Sequence, residues 1–555
     1  MTQKKITRNK VAVCGLGIAG ISAVKNLTEA GFDVTGFEAS DAIGGLWHYT
    51  EDARTSCLSS KLCHPLLNFR ISPSFYPTDT RALGRRDTFC FSDFPYAGDA
   101  SDGPLYPKEI QAFLESYAEH FDIVHRFRLN TKVTTVSRVG DKWSLLLTDA
   151  QGQREEEMFD RLVVCNGLFQ TPKEPRVEGL DQFRGEILNA HTYKRYGDDC
   201  AQYDGHAVRS LIRNFVAQRV SMGSEYWLLD LAPRLQTLPE VLQAEPVKFL
   251  YLTEMGLPYG KANDVCFPPL REQRKALKRP PVEQGQILHK AFLEMQDEAF
   301  DLRPEWGLAN APAMPHKIPI IGDEFYDLLV SGAVTLVAGV KRVLESHVEL
   351  TDGKKLEVDA IIFAIGYNKS FSLLGPYDPS RHMPQAWKDA RGSMGRPLAR
   401  LYQGIFSLDF PDSLAYSETV GPTLSSSINA DLASMALAQV WLGASKLPSA
   451  SEMAKSADAQ NQMVISIAKE GEIFDPSIVN TTEWTIWADR AAGLGIQDRI
   501  GYGWKSWWLW LTDYRLYKTL LDGKFVPQVY RIFDEGKRKP WKGARESFFK
   551  ANGMS

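Results

Sequence analysis

The chain has 555 residues, 44% of them hydrophobic and 24% charged, with a formal net charge of −4. That length exceeds one ordinary core and predicts two to four domains, or one domain carrying a large insertion. The charge argues against the basic face of a nucleic-acid binder, and the absence of a run of about 18 apolar residues argues against a transmembrane helix.

The N-terminus, MTQKKITRNKVAVCGLG, has basic residues but no separate apolar segment ahead of a cleavage site, so no secretory signal is expected. Its apolar run reads instead as a first strand, Val11 to Cys14. The strand enters the turn Gly15-x-Gly17-x-x-Gly20, and a helix follows from about Ile18 to Ala30. A second strand, Asp33 to Glu38, comes after the stop at Gly31. Gly15 permits the tight turn, Gly17 lets backbone approach a pyrophosphate, and Gly20 lets helix and strand pack closely. The backbone N–H groups of Ile18, Ala19 and Gly20 then face a phosphate at the positive end of the helix. Glu38, 18 residues beyond Gly20, is an acceptor for ribose hydroxyls and disfavours a 2′-phosphate. Strand, glycines, helix, strand and acid in this order predict a dinucleotide site.

Next comes ASDAIGGLWHY, in which Gly44-Gly45 reads as a turn followed by Leu46 and Trp47. Further on, FCFSDFPY spans Phe89 to Tyr96, and Tyr106-Pro107 precedes an amphipathic helix. FDRLVVCNGLFQTPKEP and KLEVDAIIFAIGYNKSF read as two buried strands ending in glycine turns. Together these segments resemble the flavin-containing monooxygenases, and in particular divergent relatives from natural-product pathways. The likeness extends to about residue 440.

The resemblance implies an α/β fold of the two-dinucleotide-binding flavoproteins, with a Rossmann-like FAD domain and an inserted, smaller nicotinamide-type domain. The expected boundaries are 1–180 with 336–445 for the FAD domain, 181–335 for the insert, and 446–555 for a mainly helical C-terminal segment. It implies FAD at Gly15, Gly17, Ile18, Ala19, Gly20 and Glu38, with Gly45, Leu46 and Trp47 beside it. It also implies that reduced FAD takes up dioxygen as a C4a-hydroperoxide, which oxidises nitrogen, sulfur or electron-rich carbon in a small organic molecule. The family's FxGxxxHxxx(Y/F) fingerprint stands here as Phe183-x-Gly185-x-x-x-Asn189-x-x-x-Tyr193, with Asn189 at the histidine position and His191 two residues on. A family asparagine that faces the flavin matches Asn68, with His64 as a second polar group in the same loop; a turn-forming Asn and a surface His are the plainer readings.

The family's second glycine turn, for NADPH, belongs after this fingerprint. YDGHAV is similar to its lead-in and SEYWLLDLAPRL to its following helix, but RSLIRNFVAQRVSMGS stands between them. Arg209, Arg213 and Arg219 interrupt the apolar run, and Gly223, followed by Ser224, is its single glycine. Three readings stay open. Ser221-Met222-Gly223-Ser224 is a reduced turn and NADPH binds with arginine help; or NADPH binding is lost; or a local translation or splicing anomaly has overwritten the motif.

Toward the C-terminus, FPDSLAYSETVGPTLSSSINADLASMALAQVWLG predicts a Ser/Thr/Gly loop and a helix from about Ile428, with Ser425 to Ser427 as its cap. In GYGWKSWWLWLTDYRLYKTLLDG, Trp504, Trp507 and Trp508 share one helical face. Core or interdomain packing is the expected use, with a substrate pocket, a partner surface or a membrane-facing patch as alternatives. Seven cysteines without a Cys-x-x-Cys pair argue against metal binding and a disulfide framework, and fit a reducing cytoplasmic setting.

The main expectation is therefore an FAD-dependent monooxygenase. An oxidase, dehydratase or coupling catalyst that has no need of NADPH is the second, and a non-catalytic flavin-binding homologue the third. Homo-oligomerisation stays open.

Overall fold

The computed structural model describes residues 9–48, 86–96, 105–167, 171–175, 177–189, 339–358, 360–363, 367–417, 420–421, 425–538 and 540–554, with short stretches and single residues between 247 and 337. Asn68, His64, His191, Tyr193, Gly223 and Ser224 lie outside the described residues.

The expected strand–helix–strand opening forms as β1 (Lys10–Cys14), α1 (Ile18–Glu29) and β2 (Asp33–Phe37). A helix α2 (Pro107–His120) begins with proline at its first turn, and the Glu109 carboxylate accepts from the Tyr106 amide at 2.9 Å. After β3 (Phe127–Arg128), the strands β4 (Thr131–Val139), β5 (Lys142–Asp149) and β6 (Arg154–Phe159) form an antiparallel meander. The chain then returns as β7 (Arg161–Val164).

The main sheet has seven strands in the order Leu401–Tyr402, Phe406–Ser407, Leu414–Tyr416, β7, β1, β2, β3. β1 lies parallel to both β2 and β7, so the glycine turn leaves the carboxyl end of a fully flanked strand. Such strands are buried on both faces and read as continuous apolar runs, as Val11 to Cys14 does. Further parallel pairs among the described residues are Glu186–Asn189 with Ala360–Phe363, Val247–Leu250 with Val334–Val337 and Gly256–Leu257 with Ile320–Ile321. The first pair joins the Asn189 fingerprint segment to the second apolar strand read from the sequence, with Asn189 in register with Phe363.

Helix α3 (Ser426–Trp441) is buried on nearly every face and crosses α1. Ser425 caps it, accepting from the Ile428 amide at 3.4 Å while its hydroxyl donates to the Thr88 carbonyl at 2.7 Å. Small residues let the two helices approach closely: Ser22 and Ser434 hydroxyls are 2.9 Å apart, and Asn26 donates to Ser434 at 2.7 Å. The remaining described C-terminal chain is mainly helical, with α4 (Ala450–Glu470), α5 (Thr481–Ala492), α6 (Trp504–Thr512), α7 (Tyr514–Asp522) and α8 (Ala544–Ala551). One continuous core runs from β1 and α1 through α3 to Phe548 and Phe549, so the C-terminal helices pack on the nucleotide-type fold.

A buried charge cluster fastens that joint. The Asp93 carboxylate, from the FCFSDFPY segment, meets Lys25 of α1 and Arg531 and Arg538 of the C-terminal chain. Arg538 also donates to Asn26 and Glu29 of α1, both at 2.9 Å. Asp431 of α3 accepts from the Ser92 amide and from Asn26. Among the described residues, no helix is long and apolar enough to cross a membrane, and no His/Cys/Asp/Glu group is arranged to hold a metal ion.

Candidate functional site

The carboxyl end of β1 and the start of α1 build a concave backbone surface. Gly15 has φ +96°, and a Cβ there would stand 2.3 Å from the Cys165 carbonyl oxygen at the end of β7. A Cβ on Gly20 would fall 1.8 Å from the Gly15 oxygen. Both glycines are therefore needed to close the turn against its own neighbours.

Gly17 is different. Its φ of −74° suits any residue, and among the described residues a Cβ there would meet only the Gly45 Cα, at 3.7 Å. The described residues leave the space above it open. No side chain caps α1 and no acid occupies its first turn, so Ile18, Ala19 and Gly20 present uncapped amides at the positive end of the helix. That is a cradle for an anion that a side chain would fill.

Gly44-Gly45 comes to the same place. The Gly44 amide donates to the Leu16 carbonyl at 2.9 Å, which docks this second turn onto the first. Gly44 and Gly45 have φ of +114° and +58°, and a Cβ on Gly45 would press on the Gly17 Cα at 3.0 Å. Leu46 and Trp47 follow in a single helical turn, with the Trp47 ring edge-on to Phe89 at 5.7 Å. Gln111 of α2 holds the loop from behind through the Ile43 carbonyl at 2.9 Å.

Glu38 is fixed from two sides. Its Oε2 accepts the Leu16 amide at 2.9 Å, and its Oε1 accepts the Ser40 amide and hydroxyl at 3.0 Å each. Oε1 thus uses both its lone pairs, while Oε2 keeps one for a further donor. The site thus joins Gly15, Gly17, Ile18, Ala19, Gly20, Glu38, Gly45, Leu46 and Trp47 across two loops. The chemistry of these residues, backbone amides at a helix start and a carboxylate at a strand end, fits a dinucleotide.

The sequence reading missed Ser40, Gln111 and the Leu16 amide as supports for this site. It also missed the Asp93 cluster, although Ser22, Lys25, Asn26 and Glu29 were a signal, being polar residues at helical spacing in an apolar helix.

A family model described as flavin-binding monooxygenase-like matches residues 8–201 and 284–552. The chain belongs to that family. It is accordingly a flavin-dependent oxidoreductase of the monooxygenase type, and FAD and NADP(H) are the cofactors of its relatives. Monooxygenase aurF of Gibberella zeae is 32% identical over 568 residues, covering 98% of this chain and 97% of its own. Among solved structures, S-allyl-L-cysteine S-oxygenase from Allium sativum has a TM-score of 0.54 at 19% identity, covering 87% of this chain and 88% of that one. An oxidised steroid monooxygenase bound to NADP has a TM-score of 0.53 at 16% identity, covering 87% and 98%. Both share the α/β fold of the two-dinucleotide flavoproteins. The two matched blocks of the family model stop at 201 and resume at 284, bracketing the stretch with Gly223 and Ser224.

Proposed function

We propose that this flavin-binding monooxygenase-like protein is an FAD-dependent enzyme that inserts one oxygen atom from dioxygen into a small organic metabolite, at nitrogen, sulfur or electron-rich carbon. The observation that carries the reading is the open space over Gly17, bounded by the uncapped start of α1 and by Gly45. The amides of Ile18, Ala19 and Gly20 hold the pyrophosphate, Glu38 accepts from the ribose, and Gly45, Leu46 and Trp47 wall the site. When bound and reduced, the flavin supplies dioxygen activation and transfer of one oxygen atom to a soft nucleophile. The protein orients that group and excludes water from it.

The same reading takes 1–180 with 336–445 as the FAD domain, 181–335 as a nicotinamide-type insert and 446–555 as a helical segment. Asn68 is its polar group toward the flavin. The 32% identity to a monooxygenase along nearly the full length of both chains supports it. A reducing cytosolic setting also belongs to it, with Cys14 and Cys90 as buried thiols outside any disulfide.

NADPH is the reductant in this reading, held at Gly223-Ser224. A second reading, a flavoenzyme that works without NADPH, is favoured by one observation, the break in the family match between 201 and 284. The two are separated by adding NADPH to the yellow protein without oxygen. Bleaching within the time of a catalytic turnover, and return of colour on readmitting air, are expected. A flavin that stays oxidised under excess NADPH overturns the NADPH-driven mechanism and supports the second reading.

A further inference from the structure

Helix α6 turns its aromatic stripe away from the core. Trp504, Trp507 and Trp508 are 74%, 59% and 63% exposed, and the residues the helix buries are Ser506 and Leu509. The expected core or interdomain packing of this stripe is therefore not what the structure has.

Part of the stripe lines a cleft. Trp504 and Trp508 share a cleft of about 710 Å³ with Phe533 and Trp541, which come from the chain between α7 and α8. Leu509 and Leu516, both buried, add an apolar base. Small-molecule pockets usually hold about 300–1,000 Å³ and combine apolar walls with a few polar groups. No lining residue belongs to the cradle over Gly17.

The polar groups here are mostly cations. Arg499, Lys505, Lys542 and Arg545 line the cleft, against the single carboxylate of Asp513. Arg545 pairs with Asp513, while Arg499 and Lys505 divide the Glu535 carboxylate between them. Lys542 is exposed, and no described carboxylate pairs with it. A positive excess thus stands over an aromatic lining.

Several of these groups are held in place before any ligand arrives. Arg499 donates to the Gly495 carbonyl at 2.9 Å and lies over the Phe533 ring, 4.2 Å from its centre. The Trp541 amide donates to the Arg531 carbonyl at 3.0 Å. The Trp541 ring folds over Gly543, where a Cβ would stand 2.6 Å from it. Fixed rings offer a flat ligand a stacking surface, and fixed cations beside them select for negative charge.

We propose that this cleft is a binding site for a small planar aromatic anion, an arene carrying a carboxylate. The rings take the flat body, and Lys542 and Arg545 take the charge. A neutral arene would leave the positive excess unanswered. The inference uses none of the residues assigned to FAD and stands apart from the choice of reductant.

The test is calorimetric titration of the full-length holoprotein with 2-naphthoate, and with the neutral 2-naphthalenemethanol of similar shape. Naphthoate is expected to bind once per chain with a dissociation constant near or below about 100 μM, and the alcohol at least about tenfold more weakly. The double variant Lys542→Gln with Arg545→Gln should weaken naphthoate at least about tenfold and leave the alcohol unchanged. Trp508→Ala should weaken both ligands by a similar factor. Far-UV circular dichroism and flavin content check the fold; should Trp508→Ala fail there, the double variant carries the test. Absence of naphthoate binding up to about 1 mM overturns the proposal, whether or not the protein sediments with anionic phospholipid vesicles. So does an affinity that ignores the ligand's charge, or one that none of these substitutions changes.

Discussion

Gly17→Ala is expected to lose FAD and keep its fold. The backbone there has φ −74°, which alanine adopts freely, and the new methyl would touch only Gly45, at 3.7 Å. No other described residue opposes it. The methyl does occupy the space assigned to the pyrophosphate, and forcing a group into filled space costs about 1–3 kcal/mol. That corresponds to roughly a 10- to 100-fold weaker affinity for FAD, measured by equilibrium binding to apoprotein. The control is Gly20→Ala. Its methyl would fall 1.8 Å from the Gly15 oxygen, so α1 must move off the sheet. This variant should be destabilised by about 3 kcal/mol in denaturant unfolding, with or without cofactor. Should Gly17→Ala bind FAD like the wild type, the cradle over Gly17 is not the pyrophosphate site.

The second large effect is in stability. Asp93→Ala should cost about 3–5 kcal/mol, read as a fall in the denaturant midpoint. Asp93, Lys25, Arg531 and Arg538 side chains are only 3%, 3%, 4% and 6% exposed, and removing the acid leaves three buried cations with the part-exposed Glu29 as their shared carboxylate. A loss below about 1 kcal/mol would show that water reaches the cluster. The double variant Asp93→Ala with Arg531→Met should recover part of the loss, because it removes a charge from each side. Glu29 adds a pH signature to the same cluster. Burial by itself raises its pKa, but Arg538, Lys25 and Arg531 outweigh burial and hold it at about 2, against 4.5 for an unperturbed glutamate. The unfolded chain therefore takes up this proton first. Stability from Glu29 is present above about pH 4.5 and is lost as pH falls toward 2. Glu29→Gln should flatten the unfolding profile in that window. The change should be small, since the Glu29 side chain is 42% exposed and water screens it.

The parts of the site that were legible in the sequence are those whose cause is local. Gly15, Gly17 and Gly20 announce themselves because turn geometry and close packing exclude a side chain within a few residues. Glu38 follows from the length of one strand–helix–strand unit. Gly44-Gly45 was legible as a turn, but its hydrogen bond to Leu16 was a matter of tertiary docking. The Asp93 cluster was hidden for a stronger reason. It joins Asn26 to Asp431 and to Arg538, partners 405 and 512 positions apart, and no window on the sequence spans them. The Trp504 stripe teaches a different lesson. Periodicity gave the right residues on one face, yet period alone does not say whether core, partner or solvent covers that face. Exposure decided it.

The most direct measurement is the visible spectrum of the purified full-length protein, with the released cofactor identified by chromatography. A yellow protein carrying FAD in stoichiometric amount is the expected result. A colourless protein that takes up no FAD on reconstitution would contradict the account at its root.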